Sequence, residues 1–82
     1  MIVFSSDSDR DCFITVYSDD PRRKVMDKIR LVPATAASLL SRIEAAEGDV
    51  IDICGWNATR PRAELIAERI EDWLISRERL NG

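Results

Sequence analysis

Three carboxylates at alternate positions, Asp7, Asp9 and Asp11, are the densest chemical feature of this 82-residue chain. Their spacing is that of the opening of a calcium loop, where alternate oxygens turn toward one cation. Counted from Asp7, such a loop needs Gly at its sixth position and Glu at its twelfth, and the chain places Cys12 and Ser18 there. The segment is therefore expected to be a polar hairpin turn without a metal. Asp19 and Asp20 add two more carboxylates to the first quarter of the chain. Acids so concentrated can imitate a phosphate backbone or dock on an Arg- and Lys-lined groove, and charge complementarity of that kind speeds association and selects partners.

Other chemistry is sparse. The chain has no His, which removes the usual general base and the commonest metal ligand. Ser5, Ser6, Ser8 and Thr59 accordingly have no base to activate them. Cys12 and Cys54 are its two cysteines, not spaced as a Cys-x-x-Cys motif, and each falls within an expected strand, so both are read as packed, free thiols. Gly48, Gly55 and Gly82 are isolated and form no phosphate-binding loop. Trp56 stands outside any helical stripe, where it either anchors a partner or folds over a sheet end to close the core.

Those residues must be held by a small scaffold. With 45% hydrophobic and 33% charged residues, 1–82 is expected to be a single compact domain with a modest core. Twelve Lys and Arg against 15 Asp and Glu give a net charge of −3, which argues against direct nucleic-acid binding. No apolar run approaches the length of a membrane span and no secretory pattern opens the chain, so a cytoplasmic location is expected.

Ile2 to Phe4 and Cys12 to Tyr17 read as strands, joined by the turn formers between them. Val25 to Val32 reads as a third strand with one wet face, although Asp27 falls on its apolar parity. Ala36, Leu39, Leu40 and Ile43 recur at helical spacing across 34–47 before Gly48. Val50 to Cys54 reads as a fourth strand. Residues 60–80 form the last helix, with Thr59 or Asn57 as its cap and an apolar face of Leu65, Ile66, Ile70, Trp73, Leu74 and Leu80. Within it Glu64 and Glu68 alternate with Arg62 and Arg69, an ordinary solvated pattern.

The expected fold is α+β: a two-layer sandwich in the order βββαβα, with two helices on one face of a four-stranded sheet. Its other face, carrying Phe13, Thr15, Tyr17, Lys28 and Arg30, is left as an interaction surface.

That order resembles the front half of the ribonuclease H-like fold and the HicB-type antitoxins that reduce it. The resemblance implies a carboxylate metal site, with Asp7 and Asp52 on the strands, but the only acids of the first helix, Glu44 and Glu47, lie at its far end. In size, acidity and lack of catalytic apparatus the chain also resembles phage and mobile-element inhibitors of host defence, anti-CRISPR proteins among them. The function expected is thus a non-enzymatic inhibitor or adaptor without a cofactor. It occupies a basic surface of a protein or nucleoprotein complex through Asp7, Asp9, Asp11, Asp19, Asp20 and Trp56. The alternatives are a homo-oligomeric, antitoxin-like module and a small metal-dependent hydrolase.

Overall fold

A computed structural model of the protein describes residues 1–6 and 12–81. The elements run β1 (Ile2–Ser6), β2 (Cys12–Tyr17), β3 (Val25–Leu31), α1 (Pro33–Ala45), β4 (Val50–Ile53), β5 (Trp56–Thr59) and α2 (Arg60–Asn81). The class is α+β, but the single four-stranded sheet is replaced by two antiparallel sheets, β1-β2-β3 and β4-β5. The cause is local. Cys54 and Gly55 take φ of 50° and 90°, a pair of left-handed residues that makes a two-residue hairpin turn, so the chain doubles back as β5. Strand β4 then pairs with its immediate neighbour in sequence, avoiding the longer closure needed to reach β3.

Strand β2 lies between its neighbours, with Ile14 opposite Phe4 on one side and Ile29 on the other. Alternation sends Cys12, Ile14 and Val16 into the core, where they join Ile2 and Leu31 from the flanking strands. Phe13, Tyr17, Lys28 and Arg30 occupy the opposite face, as expected, with the Lys28 ammonium 4.4 Å from the Phe13 ring centre. Thr15 is on this face too, yet it is buried between Val3 and Lys28.

The helices complete the core from the other side. In α2 the buried stripe is Ala63, Ile66, Ile70 and Trp73, spaced by three and four; Leu65, expected on this face, is exposed. Helix α1 contributes Ala36, Leu39 and Ile43 and packs chiefly on α2. At its start the Thr35 hydroxyl accepts from the Val32 N–H at 3.1 Å and donates back to the Val32 carbonyl at 3.0 Å. It ends two residues before the expected boundary because Ala46 turns extended. Two carbonyls just past the helix end are met by Arg60, whose Nε donates to Gly48 O at 2.7 Å and Nη2 to Ala46 O at 3.0 Å. Arg60 thus ties the end of α1 to the start of α2.

Candidate functional site

Strand β5 is where the two sheets meet. Ile53 pairs with Trp56 across the two-residue turn, and Ile51 pairs with Ala58 two residues further along. The Arg60 N–H continues this series by donating to Asp49 O at 2.9 Å. In an antiparallel ladder the hydrogen-bonded residues alternate, so Trp56 and Ala58 spend their backbone groups on β4. The N–H and C=O of Asn57 and the N–H of Thr59 face the other way, without a partner in the β4-β5 ladder. The Thr59 carbonyl opens the α2 ladder instead.

Beside that edge is a cleft of about 550 Å³. All four residues of β5 line it, whereas none of β4 does, which places the opening along the unpaired edge. Its far side is the end of the three-stranded sheet, from Ile2 and Val16 to Tyr17 and Met26, and Arg62 of α2 contributes a wall. Arg62 is half-buried, with Nη2 3.7 Å from the Met1 sulfur.

Trp56 closes one side of this cleft. Its side chain is half-buried against the core, and Nε1 donates to Asp27 Oδ2 at 3.1 Å. The other Asp27 oxygen accepts from the Lys28 N–H at 2.8 Å. The acid that interrupts the apolar parity of β3 is therefore the partner of a tryptophan 29 residues away, and its polarity is required there.

The turn after β2 supplies the acidic rim. Asp19 lines the cleft and its side chain is 97% exposed, held by an ion pair with the Met1 amino group at 3.0 Å. Asp20 is occupied structurally: Oδ1 accepts from the Ser18 hydroxyl at 3.0 Å and from the Arg22 N–H at 2.9 Å, stabilising the turn. Its charge remains exposed. Asp7, Asp9 and Asp11 lie outside the described residues. Ser6 and Cys12, which flank them, pair at the end of β2 remote from Tyr17, a separation of about 17 Å along the strand. The segment holding Asp7, Asp9 and Asp11 is thus attached at the opposite end of β2 from Asp19 and Asp20.

Among the described residues, no three Cys, Asp or Glu side chains are grouped so as to hold a metal ion. Asp52 is exposed on β4. Cys12 is buried, and burial pushes its thiol pKa up to about 12. Cys54 is not the packed strand residue expected from the sequence: it sits exposed in the hairpin turn, where the left-handed backbone ends β4. Partial desolvation, followed by the nearby Asp52 carboxylate, raises its pKa as well. Thiolate nucleophiles are thereby disfavoured at both positions.

Strand β5 lies between the expected fourth strand and last helix, where no element is expected from the sequence. Its signal was the Cys54-Gly55 pair between Ile53 and Trp56, a two-residue turn flanked by apolar residues. Asn57, weighed as a helix cap, is inside β5, and Thr59 is its last residue, directly before α2. No protein-family model matches the chain, and neither a curated protein nor a solved structure is found to match it.

Proposed function

We propose that this protein is a non-enzymatic interaction module that occupies a basic surface of another protein or protein complex, and blocks that surface by doing so. The observation that carries the reading is the cleft beside β5. It combines aromatic and thioether walls from Tyr17, Trp56 and Met26 with the almost fully exposed Asp19 at its rim. Apolar, partly desolvated anchors beside exposed polar groups are the usual anatomy of a protein-binding site. The exposed acids contribute mainly to the rate and selectivity of encounter. Asp7, Asp9 and Asp11 belong to the proposal as a second acidic segment, acting through the molecule's field.

The test is capture from extracts of the source cell and its host at low and high salt, read by mass spectrometry. Wild type is compared with Asp19→Lys, Asp20→Asn and the Asp7, Asp9, Asp11→Lys triple variant. Asp20→Asn keeps the acceptor that the turn needs. The expected result is one basic protein or complex retained by wild type at low salt and depleted with Asp19→Lys, at unchanged melting temperature. Equal recovery by wild type and all variants contradicts the acidic-surface reading. Recovery of the protein itself alone favours the homo-oligomer.

A further inference from the structure

We infer that the cleft takes an extended, basic segment of the partner protein as an added β-strand, paired with Asn57 and Thr59. The inference rests on the proposed interaction function and specifies its partner.

Three features converge on this occupant. Asn57 turns its N–H and C=O away from β4 and Thr59 turns its N–H, whereas the Thr59 carbonyl starts the α2 ladder; a strand laid along β5 meets the three remaining groups while leaving the β4 ladder untouched. Such edges are templates for added strands, with backbone bonds giving affinity and pockets for alternate side chains giving specificity. Residues from both faces of β5 line the cleft, so the open volume of about 550 Å³ is in the plane where an added strand runs. That size is within the range of ordinary ligand sites.

Side-chain chemistry sets the character of the segment. An apolar residue of the incoming strand meets Trp56, Tyr17 and Met26, the last 56% exposed and without comparable cover in the free protein. The lining carries one carboxylate, the almost fully exposed Asp19, beside the Met1 amino group it pairs with and the half-buried Arg62. A Lys or Arg flanking the apolar residue exchanges with the amino group now paired to Asp19.

The probe is an array of nonapeptides in which Val, Ile and Thr alternate between Lys or Arg flanks, beside acidic-flanked copies and copies N-methylated at alternate backbone nitrogens. Binding is measured for wild type, Asn57→Pro and Asp19→Lys, and amide hydrogen exchange is followed at Asn57 and Thr59. Proline at position 57 removes an outward N–H and spares the hairpin bonds, so the melting temperature is expected to hold. Basic-flanked peptides are expected to bind wild type and slow exchange at both amides at least tenfold. Their affinity falls at least tenfold with Asn57→Pro, with backbone N-methylation, and with Asp19→Lys.

Binding that is lost with Asp19→Lys but unaffected by Asn57→Pro, without protection at either amide, overturns strand addition and leaves the acidic-rim reading standing. Binding lost with Asn57→Pro but indifferent to Asp19→Lys and to flank charge overturns the basic segment and the acidic-rim reading together. Failure of every basic-flanked peptide overturns the inference. Concentration-dependent protection of Asn57 and Thr59 without peptide overturns it in favour of a second copy of the chain.

Discussion

Asp27 carries more of the architecture than its position on an exposed edge strand suggests. It accepts a hydrogen bond from the Trp56 indole and so joins a residue of one sheet to a residue of the other. Replacing it with Ala leaves a half-buried indole N–H without a partner, at a cost of about 1 to 2 kcal/mol. Asp27→Ala is expected to lower the urea midpoint and shift Trp fluorescence to longer wavelength, whereas Asp27→Asn retains an acceptor and most of the stability. Equal destabilisation by Asn and Ala contradicts this role.

The Cys12 thiol gives a second prediction at the same scale. Its pKa is about 12 in the folded protein against an ordinary value of 9.0, so the native state holds a proton that the unfolded chain releases. The contribution is intact below pH 9.0 and is lost as pH rises from there toward 12, at up to about 1.4 kcal/mol per pH unit. Melting temperature is expected to fall over this alkaline range in wild type and to fall less steeply in Cys12→Ala. Parallel curves for the two proteins contradict it.

Among the elements, the β4-β5 hairpin defines the site and is the one the sequence concealed. Cys12 to Tyr17 is a run rich in β-branched and aromatic residues, and 63–73 repeats apolar residues by three and four, so composition declared the strand and periodicity the helix. Trp-Asn-Ala-Thr is too short and too polar to do so, and its pairing depends on backbone geometry at Cys54 and Gly55. The cleft was less legible still, because it forms only where two sheets meet. Gly55→Ala forces a side chain onto a φ of +90° and is expected to destabilise the protein by about 1 kcal/mol or more. Cys54→Asn, which suits the left-handed position, is expected to raise the melting temperature. The opposite order for these two variants in thermal denaturation contradicts the turn assignment.

Helix α1 ends against a residue of α2 rather than on its own cap. Arg60 reaches two carbonyls there, and a planar guanidinium meets such a fork better than an ammonium does. Arg60→Ala is expected to cost about 1 kcal/mol, with Arg60→Lys recovering only part of it. Full recovery by Lys in urea denaturation indicates a role for charge alone.

At the scale of the whole molecule, charge is segregated despite a net of only −3. Residues 21–32 carry Arg22, Arg23, Lys24, Lys28 and Arg30 against Asp27, while Glu44, Glu47, Asp49 and Asp52 outweigh Arg42 in 33–59. The acidic turn at Asp19 and Asp20 is thus beside a basic stretch, and its effect is local to the cleft rim. This is why composition could suggest a basic partner but could not locate where it docks. The extents of 42 × 30 × 17 Å describe a thin, elongated body, whose short axis leaves little interior beyond one core.

If the Asp19 rim of the β5 cleft docks on a basic partner, as proposed, the rate of association with the captured partner reports it. Wild type and Asp19→Lys are compared by biolayer interferometry over a salt series. Charge reversal is expected to slow association about tenfold at low salt and to flatten the salt dependence, with dissociation less affected. Identical association rates and salt slopes for the two proteins would contradict it.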